Sequence, residues 1–125
     1  MKKLSAKFRI NTSTEEVFRA LTDSFILELW TGYKAIMKPE KGSEFELWDG
    51  DICGTNIELI ENKKIVQEWY FGGAESKSIV TMILKPKGKT TIVELTHTDI
   101  PDDAFDNIKG GWHEIYFKSL QEFYK

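Results

Sequence analysis

Cysteine is almost absent: the 125-residue chain has one, Cys53. No intrachain disulfide can form, which fits a reducing compartment. Base is not in excess either, with 17 Lys and Arg against 20 Asp and Glu, a net charge of −3. A nucleic-acid binder would carry a basic stripe. The two small basic groups, Lys2, Lys3, Lys7 and Arg9 near the start and Lys85, Lys87 and Lys89 at a turn, read instead as solvated edges. Long apolar runs are missing. The longest mostly apolar stretch, Ile79 to Leu84, contains Thr81 and falls far below a membrane span. The N-terminal residues Met1 to Arg9 return to charge at once and lack the apolar middle of a signal peptide. The expectation is a cytoplasmic protein with no membrane insertion and no nucleic-acid partner.

Motifs for bound groups are equally scarce. The two histidines, His97 and His113, have no metal-ligand spacing with other residues. Gly72-Gly73 and Gly110-Gly111 lack the spaced glycines and the Lys-Ser/Thr that cradle phosphate. No cofactor is expected. Cys53 and His97 could serve as nucleophile and base, but no elbow motif surrounds Cys53, and a small buried hydrophobe explains it. Asp49 and Asp51 flank Gly50, where hairpin chemistry already accounts for them.

What the chain has in quantity is aromatic rings: four Trp, four Tyr and eight Phe, 13% of the residues. That excludes a disordered chain. The length predicts one domain, residues 1–125, able to hold a core without cross-links.

The hydrophobic pattern gives the order of elements. Leu4, Ala6, Phe8 and Ile10 alternate with polar residues, a half-buried strand. Ser13 and Glu16 have capping-box spacing before Val17, Phe18 and Leu21, so a helix starts there. Thr22-Asp23-Ser24 caps a second short helix with Ile26, Leu29 and Trp30 on its apolar side, ended by Thr31-Gly32. Tyr33 to Met37 reads as a weak strand. Phe45 and Leu47 share a strand face before the hairpin signal Asp49-Gly50. Strands follow over Ile52 to Ile60, Ile65 to Phe71, Lys77 to Lys85 and Thr90 to Asp99, with turns about every ten residues, an antiparallel meander. Beyond Pro101 the period changes. Ile108, Trp112, Ile115, Ser119, Leu120 and Phe123 recur at helical spacing, interrupted by Gly110-Gly111, which implies a late start, a kink or a close backbone approach. A meander with one apolar face needs a cover, and only this helix is long enough. The fold class is α+β: a curved antiparallel sheet wrapped around a long C-terminal helix, with two short helices after the first strand.

Trp30, Trp69, Phe71, Trp112 and Tyr116 are expected to face the space between sheet and helix. Met82, Leu95 and His97 lie on the inward strand faces beside them, with His97 a hydrogen-bonded core or cavity group. These eight residues are the candidate lining of an apolar ligand cavity. Core packing and a partner surface are the other readings of the same rings.

Several motifs, in order, resemble the family related to the activator of heat shock protein 90 ATPase, within the START-like (SRPBCC) helix-grip superfamily. They are Glu15 to Thr22, Phe45-Glu46-Leu47-Trp48-Asp49-Gly50-Asp51-Ile52-Cys53-Gly54, Lys64-Ile65-Val66-Gln67-Glu68-Trp69-Tyr70-Phe71, Thr96-His97-Thr98-Asp99-Ile100-Pro101 and Gly111-Trp112-His113-Glu114-Ile115-Tyr116-Phe117. The resemblance covers essentially the whole chain and is to the C-terminal domain of the family's two-domain co-chaperone. It implies the helix-grip fold. It also implies either a non-enzymatic domain holding a small hydrophobic ligand or a module that binds a heat shock protein 90-type chaperone and regulates its ATPase. Some relatives in the superfamily are enzymes of small molecules, but the resemblance carries no catalytic residue onto this chain.

Overall fold

The computed structural model of the chain describes residues 1–70 and 77–125. Phe71 and the Gly72-Gly73 loop therefore lie outside the described residues. Strand β1 (Lys2–Ile10) is followed by helices α1 (Thr14–Thr22) and α2 (Ser24–Thr31). Strands β2 (Glu44–Leu47), β3 (Ile52–Ile60), β4 (Lys64–Tyr70), β5 (Lys77–Lys87) and β6 (Thr90–Ile100) come next. A 3-10 turn (Asp102–Ala104) then leads into the C-terminal helix. It consists of α3 (Phe105–Gly111), a π-helical turn (Trp112–Tyr116) and α4 (Phe117–Phe123). The strands form one antiparallel sheet in the order β1-β6-β5-β4-β3-β2, a meander closed at one end by the first strand.

The period-two pattern decides which face is covered. Phe8 and Ile10 on β1, Val80, Met82 and Leu84 on β5, and Val93, Leu95 and His97 on β6 are all buried on the inner face. The outer face is mixed, with Ile79, Ile83 and Ile92 among charged residues, and Lys7 and Lys85 both pair with Glu94, at 3.7 and 3.2 Å. Charged cross-strand contacts of this kind solvate a sheet face and contribute little to stability. The two short helices break where the caps predict. The Ser13 hydroxyl accepts the Glu16 amide at 3.2 Å, and Asp23 Oδ1 accepts the amides of Phe25 and Ile26 at 2.9 and 3.2 Å.

Three expectations are corrected. Tyr33 to Met37 is not a strand; a single bridge, Ile36 to Glu46, joins it to β2, while Ala35 and Met37 turn inward. On α2 the buried residues are Leu27 and Trp30, and Leu29 is 54% exposed. On the C-terminal helix Ile115 is 53% exposed and Phe123 42%, while Phe117 is buried beside the expected Tyr116. The cause of the last is the π turn. The Phe117 amide bonds back to the Trp112 carbonyl five residues earlier. In that wider turn the fourth and fifth residues, not the third, return above Trp112. The turn begins directly after Gly110-Gly111. Among the described residues a Cβ at either glycine would meet nothing within 4 Å, so no described backbone approaches them. The helix starts before them, at Phe105, and its irregular turn follows them.

Gly54 on β3 is a different case. A Cβ there would lie 2.1 Å from the Glu68 carbonyl oxygen and 2.7 Å from the Phe45 ring. Phe45 is fully buried against this gap. Gly54→Ala is therefore expected to lower stability by about 2–3 kcal/mol or more, through overpacking against main chain that cannot yield. Urea unfolding measures it; a midpoint equal to the parent's would show that Phe45 and β4 move aside freely.

Candidate functional site

The four tryptophans, brought from α2, the β2–β3 hairpin, β4 and the C-terminal helix, meet in one cluster. Trp112 stacks on Trp69 with ring centres 4.7 Å apart, and Tyr116 lies 4.6 Å from Trp112. Trp30 stands edge-on to both Tyr116 (5.3 Å) and Trp48 (5.7 Å). Such edge and offset contacts add to the gain from burial alone.

Each buried indole needs an acceptor, and each has a different one. Trp30 Nε1 donates to the Ala20 carbonyl at 2.8 Å. Trp69 Nε1 donates to Gln67 Oε1 at 3.0 Å, and Gln67 Nε2 donates in turn to Asn56 Oδ1 at 3.1 Å. Asn56 Nδ2 reaches the Lys38 carbonyl and the Ser43 hydroxyl at 3.2 and 3.1 Å, so a buried amide chain runs from the cluster to the segment before β2. Trp112 Nε1 donates to His97 Nδ1 at 3.0 Å.

That last bond settles the state of the histidine. An indole only donates, so Nδ1 must carry a lone pair. The ring hydrogen then sits on Nε2 and donates to Ser78 Oγ, 2.7 Å away. His97 is fully buried, and burial pushes its pKa down to about 4.

Beside the cluster, under the first half of the C-terminal helix, lies a half-open cavity of about 390 Å³. Trp69, Trp112 and Tyr116 form its inner wall. The hairpin between β2 and β3 supplies Trp48, Asp51 and Ile52. The helix side contributes Ala104, Asn107, Ile108, Gly111 and Ile115, and Tyr70 closes the end of β4. Trp48 is held over the opening in a left-handed backbone conformation, φ 52°, which is strained for a bulky residue. Tyr116 is only 3% exposed, and burial raises its phenol pKa well above the usual value. Among the described residues no side chain or carbonyl hydrogen-bonds its hydroxyl, and every sealed side-chain polar atom has a partner. The hydroxyl is therefore not sealed in the core, and the residue that carries it lines the cavity.

Of the eight candidate lining residues, the structure brings Trp69, Trp112 and Tyr116 to the cavity wall. Trp30, Met82, Leu95 and His97 are packed in the core and lie outside that wall, and Phe71 is outside the described residues. Missed from the sequence were Trp48, Asp51, Ile52, Tyr70 and the helix residues from Ala104 to Ile115. The Asp49-Gly50 hairpin signal could have flagged the first three, since a hairpin tip folds back over what precedes it. Cys53 does not meet His97. Its neighbours Gly54 and Asn56 point inward, so Cys53 faces the other side of the sheet, and β4 and β5 separate β3 from β6. Its thiol donates to the Gly50 carbonyl at 3.2 Å, and burial, with Glu46 and Asp51 adding, raises its pKa. Among the described residues no group of three or more His, Cys, Asp and Glu side chains is placed to hold a metal, and no helix is long and apolar enough to cross a membrane.

The sequence model of the family described as "Activator of Hsp90 ATPase homolog 1-like protein" matches residues 11–125. The chain belongs to that family. The human activator of 90 kDa heat shock protein ATPase homolog 1 is 25% identical over 122 residues, covering 96% of this chain and 36% of the human protein. The Dictyostelium discoideum homologue is 30% identical over 115 residues, covering 89% of this chain and 30% of that protein. The chain thus spans about a third of the length of these activator homologues. Among solved structures, an HSP90 activator from Plasmodium falciparum superposes with a TM-score of 0.90 at 25% identity, covering 98% of this chain and 96% of that one. The Aha1 dimer from Colwellia psychrerythraea gives 0.86 at 21% identity, with 99% and 96% covered. The family's α+β helix-grip architecture is the one described above, and the likeness to the Colwellia protein bears on fold alone.

The neutral histidine has a measurable consequence. An unfolded His takes up its proton near pH 6.5, whereas folded His97 does so near 4. Between those values the unfolded chain binds more protons, so stability is full above pH 6.5 and falls as pH drops toward 4, by about 3 kcal/mol from this group. An NMR titration of the His97 ring should give a midpoint near 4. A midpoint near 6.5 would mean that the ring is solvated and the Trp112 bond absent.

Proposed function

We propose that this family member is a non-enzymatic binding domain that takes a small apolar molecule into the cavity beneath the C-terminal helix. The observation that carries this reading is the cavity itself: about 390 Å³, walled by Trp69, Trp112 and Tyr116. That volume and that mixture of rings with a few polar groups suit a small-molecule site. Gly111 strengthens it. Its backbone is helical, φ −60° and ψ −43°, so any residue would fit, yet glycine leaves the wall open. Titration of tryptophan fluorescence with a lipophilic library tests the reading, because Trp48, Trp69 and Trp112 border the space. Gly111→Leu should fill it, abolish the response at least about tenfold, and keep or raise thermal stability through better helix propensity. A response unchanged by this substitution would place binding elsewhere.

A second reading is a co-chaperone-type module that binds a heat shock protein 90-type chaperone and regulates its ATPase. It draws support from family membership and from a surface feature. Phe25 and Leu29, four residues apart on α2, are 69% and 54% exposed, and Tyr33 just beyond the helix is 56% exposed. Contiguous exposed apolar strips commonly mark partner surfaces. Pull-down with the host's heat shock protein 90 and an ATPase assay test it. The double variant Phe25→Asp, Leu29→Asp should weaken binding at least about tenfold while leaving the fold and the cavity response intact. No binding by the parent at tens of micromolar would sink this reading.

A further inference from the structure

We infer that the cavity selects against negative charge: its ligand is a flat, aromatic or polycyclic molecule, neutral or cationic, anchored at its buried end by the Tyr116 hydroxyl. This rests on the ligand-binding reading above and names the class of ligand.

The charge argument comes from the walls. Among the described residues that line the cavity there is no Lys, Arg or His, and the one charged side chain is Asp51. A carboxylate or sulfonate drawn between Trp69, Trp112 and Tyr116 would lose its water and find no cation in exchange. That desolvation is the costly case for a buried ion. The faces of the rings are themselves electronegative, which favours cations and disfavours anions. Lys77 does not change this. Its ammonium stands 6.0 Å from the centre of the Tyr70 ring, on the outer face, and is paired with Glu68 at 3.7 Å. The start of α3 does not change it either. A helix N-terminus attracts anions, but the exposed Asp103 and Asp106 sit on the first turns beside Ala104 and Asn107 and already meet that partial charge.

The anchor argument comes from Tyr116. Its ring is held by Trp112 on one side and Trp30 on another, so the phenol has a fixed direction. It is 97% buried by its 3% exposure, yet its hydroxyl has no protein partner among the described residues. A polar atom so placed gains from a ligand group that donates to it or accepts from it, and loses if a purely apolar ligand displaces its water. The shape argument comes from Trp69 and Trp112, whose planes differ by 26° and present a nearly flat wall.

A matched pair of probes tests this on the full chain. N-phenyl-1-naphthylamine is neutral and has one N–H to offer. 8-Anilinonaphthalene-1-sulfonate has the same skeleton with a sulfonate added. At physiological salt the neutral probe should bind at least about tenfold more tightly. Tyr116→Phe should weaken the neutral probe about three- to tenfold, the range of one hydrogen bond. Asp51→Asn should narrow the preference between the probes. Equal or tighter binding of the sulfonate would overturn the charge selection while leaving the cavity reading standing. An unchanged affinity in a folded Tyr116→Phe would overturn the anchor. If neither probe binds, or if Gly111→Leu leaves both signals unchanged, the cavity reading itself fails and this inference falls with it.

Discussion

The hydrogen bond from Trp112 to His97 fixes how the C-terminal helix meets the sheet. Both partners are buried, and the bond joins the helix directly to β6. An indole N–H taken out of water without an acceptor costs on the order of 1–3 kcal/mol, and so does an imidazole nitrogen left bare. The pair therefore sets the helix in one register and at one depth. It also requires a neutral histidine, which the low pKa near 4 ensures over the physiological range. The stack of Trp112 on Trp69 follows from this position, and the Trp69 N–H is answered by Gln67. Beneath the helix, buried polar groups form two short chains, Trp112–His97–Ser78 and Trp69–Gln67–Asn56, with the two stacked rings joining them.

The π turn is the second constraint, and it acts through the first. With Trp112 pinned, an ordinary helix would bring Ile115 toward the sheet. The wider turn keeps Tyr116 on that side and brings Phe117 in place of Ile115. Phe117 then stacks on Phe8 of β1 with ring centres 4.1 Å apart, and Tyr116 reaches the cluster of Trp30 and Trp48. One irregular turn therefore delivers two aromatic residues to two different parts of the core. Ile115 is displaced outward to the rim of the cavity.

These facts explain what could be read from the sequence and what could not. Period-two alternation predicted β1, β5 and β6 and their inward faces, because a strand's two sides follow from parity alone. Ser13, Asp23 and Gly32 marked the helix ends because capping is local chemistry. The C-terminal helix was legible as an element, but its inward face was not. A regular period places Ile115 and Tyr116 inside, and only the π turn, a feature with no simple spacing signature, exchanges Ile115 for Phe117. The same limit applied to the site. Trp69, Trp112 and Tyr116 were recognisable as inward rings, whereas Met82 and Leu95 looked the same and are plain core. Facing inward does not distinguish a residue beside a gap from one in close packing. Asp51 and Trp48 come to the cavity from a hairpin tip whose direction depends on three successive left-handed residues, Trp48, Asp49 and Gly50.

Why a gap exists at all follows from unequal docking of the helix. Phe117 and Leu120, in α4, are fully buried, and the Phe8–Phe117 stack closes that end. No residue of α3 is buried. Two indoles stack between sheet and helix at Trp112, and the residues before it, Gly111, Ile108, Asn107 and Ala104, line the cavity beside them. Apolar burial, at roughly 25 cal/mol per Å², is therefore concentrated in the second half of the helix. The first half is held by less burial, through Phe105 and Ile108, which pack only partly against the core. A glycine at position 111, costly to a helix, stands where packing holds the helix least.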